Sequence, residues 1–157
     1  MIVLVDTRQK PDKNADIDDQ LHELGVYTER CKLYVGDYAV PTNMSTVVAT
    51  QLDMQELASN LTNDHERFSR EDERAQPAGI HLVVLTADKH IKSVNNLPGW
   101  FNIRRKFNPK APTGKRLYSI CKTMSEKYGV TFDFCPREEI GARICQWVGI
   151  KPEDTKL

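Results

Sequence analysis

The stretch "VGDYAVPTNMSTVVATQLDMQEL", residues 35–57, decides the fold class. An apolar run ends at Gly36 and Asp37, and the β-branched segment "STVVATQ" follows after a turn at residues 41–43. A connection this short favours an antiparallel hairpin, because parallel neighbours need a crossover of a dozen or more residues. A helix is expected to begin near Asp53, with its inward face formed by Met54, Leu57, Ala58 and Leu61.

Outward from this hairpin, short buried strands alternate with amphipathic helices. The other strands are expected in "IVLVD" ending at Asp6, "RCKLYVGDY", "IHLVVLTAD" and "VTFDF". The other helices are expected over residues 16–24, where Ile17, Leu21 and Leu24 share a face before Gly25, then in "NDHERFSREDERAQ", over 114–129, and from Pro136 to 149. This order predicts an α/β sandwich in which helices flank a mixed central sheet of about five strands.

Composition limits the classes of protein. The 157 residues, 39% hydrophobic and 28% charged, predict a single domain over residues 1–157. No apolar run approaches the roughly 20 residues of a membrane span, and the first residues are typical of a strand rather than a leader, so a cytoplasmic protein without membrane contact is expected. The formal net charge of zero argues against coating of nucleic acid by bulk electrostatics.

Cofactor motifs are few. The four cysteines are far apart, with no CxxC pair, which predicts reduced thiols rather than zinc ligands or disulfides. No GxGxxG or GxxxxGK[ST] follows a strand, so no nucleotide cofactor is expected.

Three ordered motifs carry a family resemblance: "VDTRQ" at residues 5–9, "VGDY" at 35–38 and "VVATQLDMQELA" at 47–58. The chain resembles the XPF-like nuclease domain of the restriction-endonuclease-like superfamily, particularly its small single-domain bacterial and phage members. That pattern has Asp-x-Arg-Glu, then Val-Gly-Asp-Tyr, then a hydrophobic residue, an acid, Arg and Lys, with a trailing acid and Leu. The matching residues are Asp6, Arg8, Gly36, Asp37, Tyr38, Glu56 and Leu57, while Gln9 replaces the usual Glu.

The resemblance implies a restriction-endonuclease-like sandwich that hydrolyses DNA phosphodiesters with Mg²⁺ or Mn²⁺. Magnesium is held by one or two carboxylates plus waters and phosphate oxygens. The implied metal positions are Asp37 and residue 49, at adjacent ends of the hairpin, and residue 51 points to the same side as residue 49. The implied catalytic set is Asp6, Arg8, Asp37, Ala49, Gln51 and Glu56. Asp6 with Arg8 could equally form a structural ion pair, and Glu56 could be a solvated helix residue.

Two of these positions depart from the pattern. Ala49 stands where the acid is usual and cannot bind a metal, and the uncharged Gln51 replaces the lysine. We therefore expect weak metal binding or none. Asp53 could be a relocated ligand, although a helix cap is its more ordinary role. Two origins account for Ala49: an acid replaced to trap an inactive form, or a natural relative that keeps the scaffold for binding.

Residues 102–116, "NIRRKFNPKAPTGKR", give the main signal for a nucleic-acid partner. The segment has six cations and no acid, beside Trp100, Phe101 and Phe107, so it could follow a phosphate backbone while Thr113 and Gly114 offer helix amides; a solvated basic loop is the alternative. The residues expected to contact DNA are Tyr38, His65, Arg67, Arg104, Arg105, Lys106, Lys110, Lys115 and Arg116. Arg70 and Arg74 are expected on a solvated face.

The resulting hypothesis is a DNA-binding, metal-dependent and structure-selective endonuclease that is impaired as written by Ala49. The alternative is a natural, catalytically dead pseudonuclease that serves as a DNA- or protein-binding module. A third hypothesis is a protein-interaction domain without DNA affinity. Homodimerisation stays open at this level.

Overall fold

The computed structural model describes residues 1–151, in which six strands form one mixed sheet. The strands are β1 (Ile2–Val5), β2 (Tyr27–Arg30), β3 (Tyr38–Val40), β4 (Asn43–Gln51), β5 (His81–Ala87) and β6 (Thr131–Cys135). Their order across the sheet is β2-β1-β3-β4-β5-β6, and β3 is antiparallel to both of its neighbours while the remaining pairs are parallel. The mixed sheet and the β3–β4 hairpin are confirmed, with six strands in place of about five.

Over the described residues, five α-helices cover the two faces of the sheet: α1 (Pro11–Glu23), α2 (Met54–Leu61), α3 (His65–Ala75), α4 (Gly114–Tyr128) and α5 (Ile140–Val148). Alternate residues of β5 point to opposite faces. Val83 and Leu85 pack in the core beneath α1 and α5, whereas Leu82 and Val84 pack beneath α2, α3 and α4. The sandwich is therefore layered helix, sheet, helix.

The structure bears on three further expectations: the extent of the domain, membrane contact and the state of the cysteines. The single domain expected over residues 1–157 extends past the described residues at its C-terminal end. Within residues 1–151, none of the helices combines the length and the apolar character needed to cross a bilayer. The thiols of Cys121, Cys135 and Cys145 are buried and free, and that of Cys31 is free and exposed.

The second strand expected over residues 30–38 is wrong for most of its length. Residues 31–37 connect β2 to β3 as irregular chain followed by bends at 34–37, although Leu33 and Val35 are buried. The Leu33 amide donates to Asp6 Oδ1 at 2.8 Å, a side chain rather than a neighbouring strand. The alternation of buried and exposed residues therefore resembles that of a strand, although most of this segment does not pair with a neighbouring strand.

Strand β2 is not predicted from the sequence, and the limits of α1 and the start of α5 differ from those expected. Strand β2 is largely exposed and has no apolar pattern. Helix α1 begins earlier than expected, at Pro11, whose fixed φ suits a first helical turn. Leu24 follows the end of α1 and is 42% exposed, so it does not belong to the buried face. After β6, a short 3₁₀ turn at Arg137–Glu139 precedes α5, which therefore begins at Ile140 rather than Pro136.

A buried acid lies on the inner side of α3. Within residues 1–151, Asp72 has no exposed surface, and neither of its carboxylate oxygens has a hydrogen-bond partner. Burial, reinforced by the negative charges of Glu71 and Glu73, raises the pKa of Asp72 to about 8. The folded protein holds a proton that the unfolded chain releases above about pH 4. Asp72 therefore makes the protein less stable as the pH rises from about 4 to about 8.

We expect Asp72→Asn to remove this loss of stability at high pH, because the amide has the same shape and no charge. Near pH 8 the substitution should raise Tm by at least about 2 °C, the shift for about 1 kcal/mol in a domain of this size. Near pH 5 the effect should be much smaller. Thermal melts across this range measure both, with Glu126→Gln, at an exposed position on α4, as the control. A Tm shift that did not vary with pH would contradict the assignment.

Candidate active site

Seven of the residues expected from the sequence line one cleft of about 460 Å³. The cleft opens at the end of β4, between the first turn of α1 and helices α2 and α3. The seven residues are Asp6, Arg8, Asp37, Ala49, Gln51, Glu56 and Arg67. The fold thus brings together side chains from every one of the three motifs and from the polar helix α3.

Asp6 forms an ion pair with Arg8. Its side chain is 1% exposed; Oδ2 accepts from Arg8 Nε at 2.6 Å and Oδ1 accepts from Leu33 N at 2.8 Å. Burial raises the pKa of Asp6, but the hydrogen bonds from Arg8 and Leu33 outweigh it and leave the pKa below its ordinary value. The Arg8 side chain is 59% exposed. The structural ion pair is therefore present, and it presents a guanidinium to the cleft.

Asp37 directly precedes β3, the first strand of the hairpin. Its Oδ2 accepts from Thr50 N at 2.8 Å, and its own amide donates to Val48 O at 2.8 Å. Burial raises the pKa of Asp37 to about 7, and the negative charges of Glu71 and Asp6 act in the same direction, against the Thr50 hydrogen bond. Because burial makes the ionised form of Asp37 unfavourable, a positive charge placed beside it would stabilise that form.

Ala49 and Gln51 lie on the same side of β4, as their spacing predicts. Ala49 is 4% exposed; its methyl group is part of the core beneath α2, α3 and α4, and it also borders the cleft. Gln51 is 5% exposed, and its Oε1 accepts from Asn60 Nδ2 at 2.6 Å. Position 49 thus offers the cleft a methyl group, and Gln51 is anchored to α2.

Asp53 serves as the N-cap of α2. Its Oδ1 accepts from Glu56 N at 2.8 Å, and it does not line the cleft, so the relocated ligand is not found at this position. Glu56 does line the cleft. Its Oε2 accepts from Leu52 N at 3.3 Å, and burial raises the pKa of Glu56. Glu56 is therefore half-buried rather than a solvated helix residue.

Glu71, which was not expected from the sequence, is an acid that α3 brings to the cleft. Glu71 Oε1 accepts from Gly36 N at 2.5 Å, directly beside Asp37. Gly36 has a φ of +72°, and a Cβ there would lie 2.3 Å from Val47 Cγ1. Glycine is therefore required for the chain to turn at this point and to present its amide to Glu71.

Arg67, Glu71 and Arg74 border the cleft along one flank of α3. They are four and three residues apart, the spacing that places side chains on one helical face. The adjacent buried row, which contains Phe68 and Ala75, fixes the rotation of the helix. That pair of rows is the sequence signal that could have identified Glu71. Arg74, expected on a solvated face, is exposed at the rim of the cleft.

Two expected nucleic-acid contacts are not at this site. Tyr38 is fully buried in the core beneath α1 and α5, and burial raises its pKa. Its hydroxyl has no hydrogen-bond partner in the described part of the chain. It has no surface to offer DNA, so this expectation is corrected. His65 is exposed at the start of α3 but does not line the cleft, and its Nε2 lies 3.3 Å from Ser69 Oγ.

The basic segment 102–116 also lies outside this cleft. Arg104, Lys110 and Arg116 line a separate groove beside α2, which we call the α2 groove. Arg105 is half-buried, and its Nη1 donates to Ala111 O at 2.6 Å, which makes it a structural residue of the loop. Lys106 and Lys115 are exposed and do not line the groove.

The start of α4 is closed by its own residues. Thr113 Oγ1 accepts from Arg116 N at 3.2 Å, and Gly114 is buried. A Cβ on Gly114 would lie 2.0 Å from Leu97 O and 2.8 Å from Trp100 O. These two residues therefore pack and cap the helix, and the Arg116 amide is already paired within it.

The chain matches no protein-family model and no curated protein. Solved structures share its fold. XPF from Aeropyrum pernix has a TM-score of 0.65 at 18% identity, over 96% of this chain and 61% of that chain. XPF from Aeropyrum pernix in complex with DNA has a TM-score of 0.66 at 16% identity, over 95% of this chain and 64% of that one. This chain therefore spans less than two thirds of either solved chain.

Identity this low establishes the fold alone. The chain has an α/β sandwich, with a mixed sheet between helices, and shares this fold with these XPF structures.

Glu71→Gln is expected to lower the pKa of Asp37 from about 7, because the substitution removes a negative charge that opposes ionisation of Asp37. Carbon-13 NMR of the Asp37 carboxyl group measures the titration directly. Glu66→Gln, on the same helix but exposed and outside the cleft, is the matched control and should leave the titration unchanged. An Asp37 pKa that does not change in Glu71→Gln would show that Glu71 does not face Asp37 in solution.

Proposed function

We propose that this protein binds DNA and that its cleft is built for metal-dependent, structure-selective phosphodiester hydrolysis, in a form that Ala49 impairs. The observation that supports the proposal is the convergence of Asp37, Ala49 and Gln51 with Arg8 and Glu71 in a single cleft. The same fold occurs in XPF from Aeropyrum pernix, which has been solved in complex with DNA.

The carboxylates present fit a weakly held Mg²⁺ or Mn²⁺. Among residues 1–151, no three His, Cys, Asp or Glu side chains gather in a way that could hold a metal ion. Asp37 and Glu71 nevertheless provide two carboxylates beside each other, and Mg²⁺ is commonly held by one or two carboxylates with waters and phosphate oxygens. Asp37 and Glu71 would hold the ion. Asp6 is a poor candidate because both of its oxygens already accept hydrogen bonds.

The bound ion would polarise the scissile phosphate and lower the pKa of an attacking water. The chain's own residues would position the substrate. Arg8, oriented by Asp6, would bind a phosphate oxygen, and the exposed Arg67 and Arg74 would extend the positive rim along α3. Gln51, held by Asn60, would offer an amide for hydrogen bonding but no charge to offset the developing negative charge.

Ala49 is the main obstacle to catalysis. An acid on this position of β4 would face the cleft between Asp37 and Gln51, where the present methyl group contributes no ligand. Loss of one charged ligand weakens metal affinity and leaves the position of the ion less defined. We therefore expect the chain as written to bind DNA and to cut it poorly.

The second candidate function is DNA binding without catalysis. The replacement of both the acid and the lysine, at Ala49 and Gln51, favours it, as does the lack of a three-ligand group in the described part of the chain. In this case the arginines at the rim of the cleft would hold the DNA backbone and the carboxylates would have no chemical role.

The test restores an acid at position 49. With Mg²⁺ or Mn²⁺, Ala49→Asp and Ala49→Glu should cut duplex, single-stranded, flap or four-way DNA at least about 100-fold faster than the chain as written, because a metal contributes several kcal/mol and about 1.4 kcal/mol is tenfold in rate. Ala49→Gln, which has nearly the size of Glu without the charge, is the matched control and should not gain activity. Manganese binding measured by electron paramagnetic resonance should tighten in parallel.

The outcomes separate the two candidates. Cutting that appears only in the acidic variants, and is lost again when Asp37→Asn is added, supports a disabled nuclease. Binding without cutting in every variant identifies the binding module. Metal-dependent cutting at ordinary rates by the unchanged chain would contradict the role given to Ala49.

A further inference from the structure

The α2 groove has the charge expected for a polyanionic ligand. It measures about 460 Å³ and lies between α2 and the loop formed by residues 102–112. Three cations, Arg104, Lys110 and Arg116, line it. None of the described residues in its lining is Asp or Glu, and the remaining polar lining includes Gln55, Ser59, Asn63 and Asn108. This distribution favours phosphate over a cationic or apolar partner.

The same loop exposes large apolar side chains. Phe107 is 88% exposed and lines the groove, while Phe101 and Ile103 are 64% and 58% exposed beside it. An aromatic ring this far out of the core makes little contribution to folding. It does provide a flat surface on which a nucleobase can stack, and such stacking tolerates any base sequence.

The loop is held in place without a ligand. Asn102 is 1% exposed between its two exposed neighbours; its Oδ1 accepts from Gln55 Nε2 at 3.0 Å and its Nδ2 donates to Pro112 O at 2.9 Å. The hydrogen bond from Arg105 to Ala111 closes the loop from the other side. The groove is thus preformed, which reduces the entropy lost on binding.

We propose that the α2 groove is a second nucleic-acid site, which binds an unpaired DNA strand with a base stacked on Phe107 and phosphates near Arg104, Lys110 and Arg116. Inside a duplex a base cannot stack on Phe107, because both of its faces are already covered by neighbouring base pairs. The inference rests on DNA being the partner under the proposed function, but it requires neither a metal ion nor cleavage.

Helix α2 places the groove beside the active-site cleft. Gln55 and Ser59, one turn apart, face the groove, while Glu56 and Asn60, also one turn apart, face the cleft. The two sites therefore flank one helix, whose diameter is roughly 10 Å. A strand held in the groove would lie within a few nucleotides of a phosphate in the cleft.

The first experiment compares an oligothymidylate of about 12 nucleotides, a length that suits single-strand sites, with a blunt duplex, in EDTA, by fluorescence anisotropy. Phe107→Ala should weaken oligothymidylate binding at least about fivefold and leave duplex binding nearly unchanged. Phe107→Trp should retain binding, and its fluorescence should be quenched on stacking. Tyr27→Ala, which truncates another exposed aromatic on β2, is the matched control and should have no effect.

The second experiment tests the charges. Arg116→Gln should weaken oligothymidylate binding and make the dependence of affinity on salt less steep, because one phosphate contact is lost. Lys115→Gln removes the same charge from the neighbouring residue of α4, which does not line the groove, and should have a smaller effect.

Equal oligothymidylate affinity for Phe107→Ala and the unchanged protein would overturn the groove proposal. The same conclusion follows if the unchanged protein binds the duplex but not the oligothymidylate, and then the proposed function stands alone. Failure to bind either DNA would also overturn the groove proposal, whereas the proposed function is decided separately by the flap and four-way substrates.

Discussion

Three hydrogen bonds to one residue define the end of the sheet where the cleft opens. The amide of Asp37 donates to Val48 O, its carbonyl accepts from Asp6 N and its Oδ2 accepts from Thr50 N, each at 2.8 Å. Asp37 thereby joins the ends of β1 and β4 to the start of β3. Every other feature of the cleft depends on this junction, because it sets how closely Arg8, residue 49 and α3 approach the same carboxylate.

The parts of the fold that the sequence predicts well are those in which apolar spacing and backbone pairing agree. Strands β4 and β5 and helices α2 and α4 satisfy both conditions, and they were placed within a few residues. Residues 31–37 satisfy only the first: Leu33 and Val35 are buried, yet the chain bends. Strand β2 satisfies only the second, since it pairs with β1 but has no apolar face.

The residues of the cleft also fall into two groups, those that can be predicted from sequence and those that depend on tertiary packing. Asp37, Ala49 and Gln51 could be grouped from sequence because a tight hairpin joins them, so local geometry suffices. Glu71 is harder to assign to them, since it lies on a separate helix and only the buried row with Phe68 and Ala75 indicates which way α3 is rotated against the sheet. Tyr38 was misassigned for a related reason: it follows Asp37 directly, but on a strand the next side chain points to the opposite face.

The polarity that concealed β2 from the sequence analysis has a consequence for how copies of the protein meet. An edge strand with a free row of amides and carbonyls is a template for another strand, and natural proteins guard such edges with charge. Glu29 and Arg30 occupy β2 at exposed positions. They make sheet extension from one copy into the next unfavourable, and so this margin of the sandwich resists aggregation.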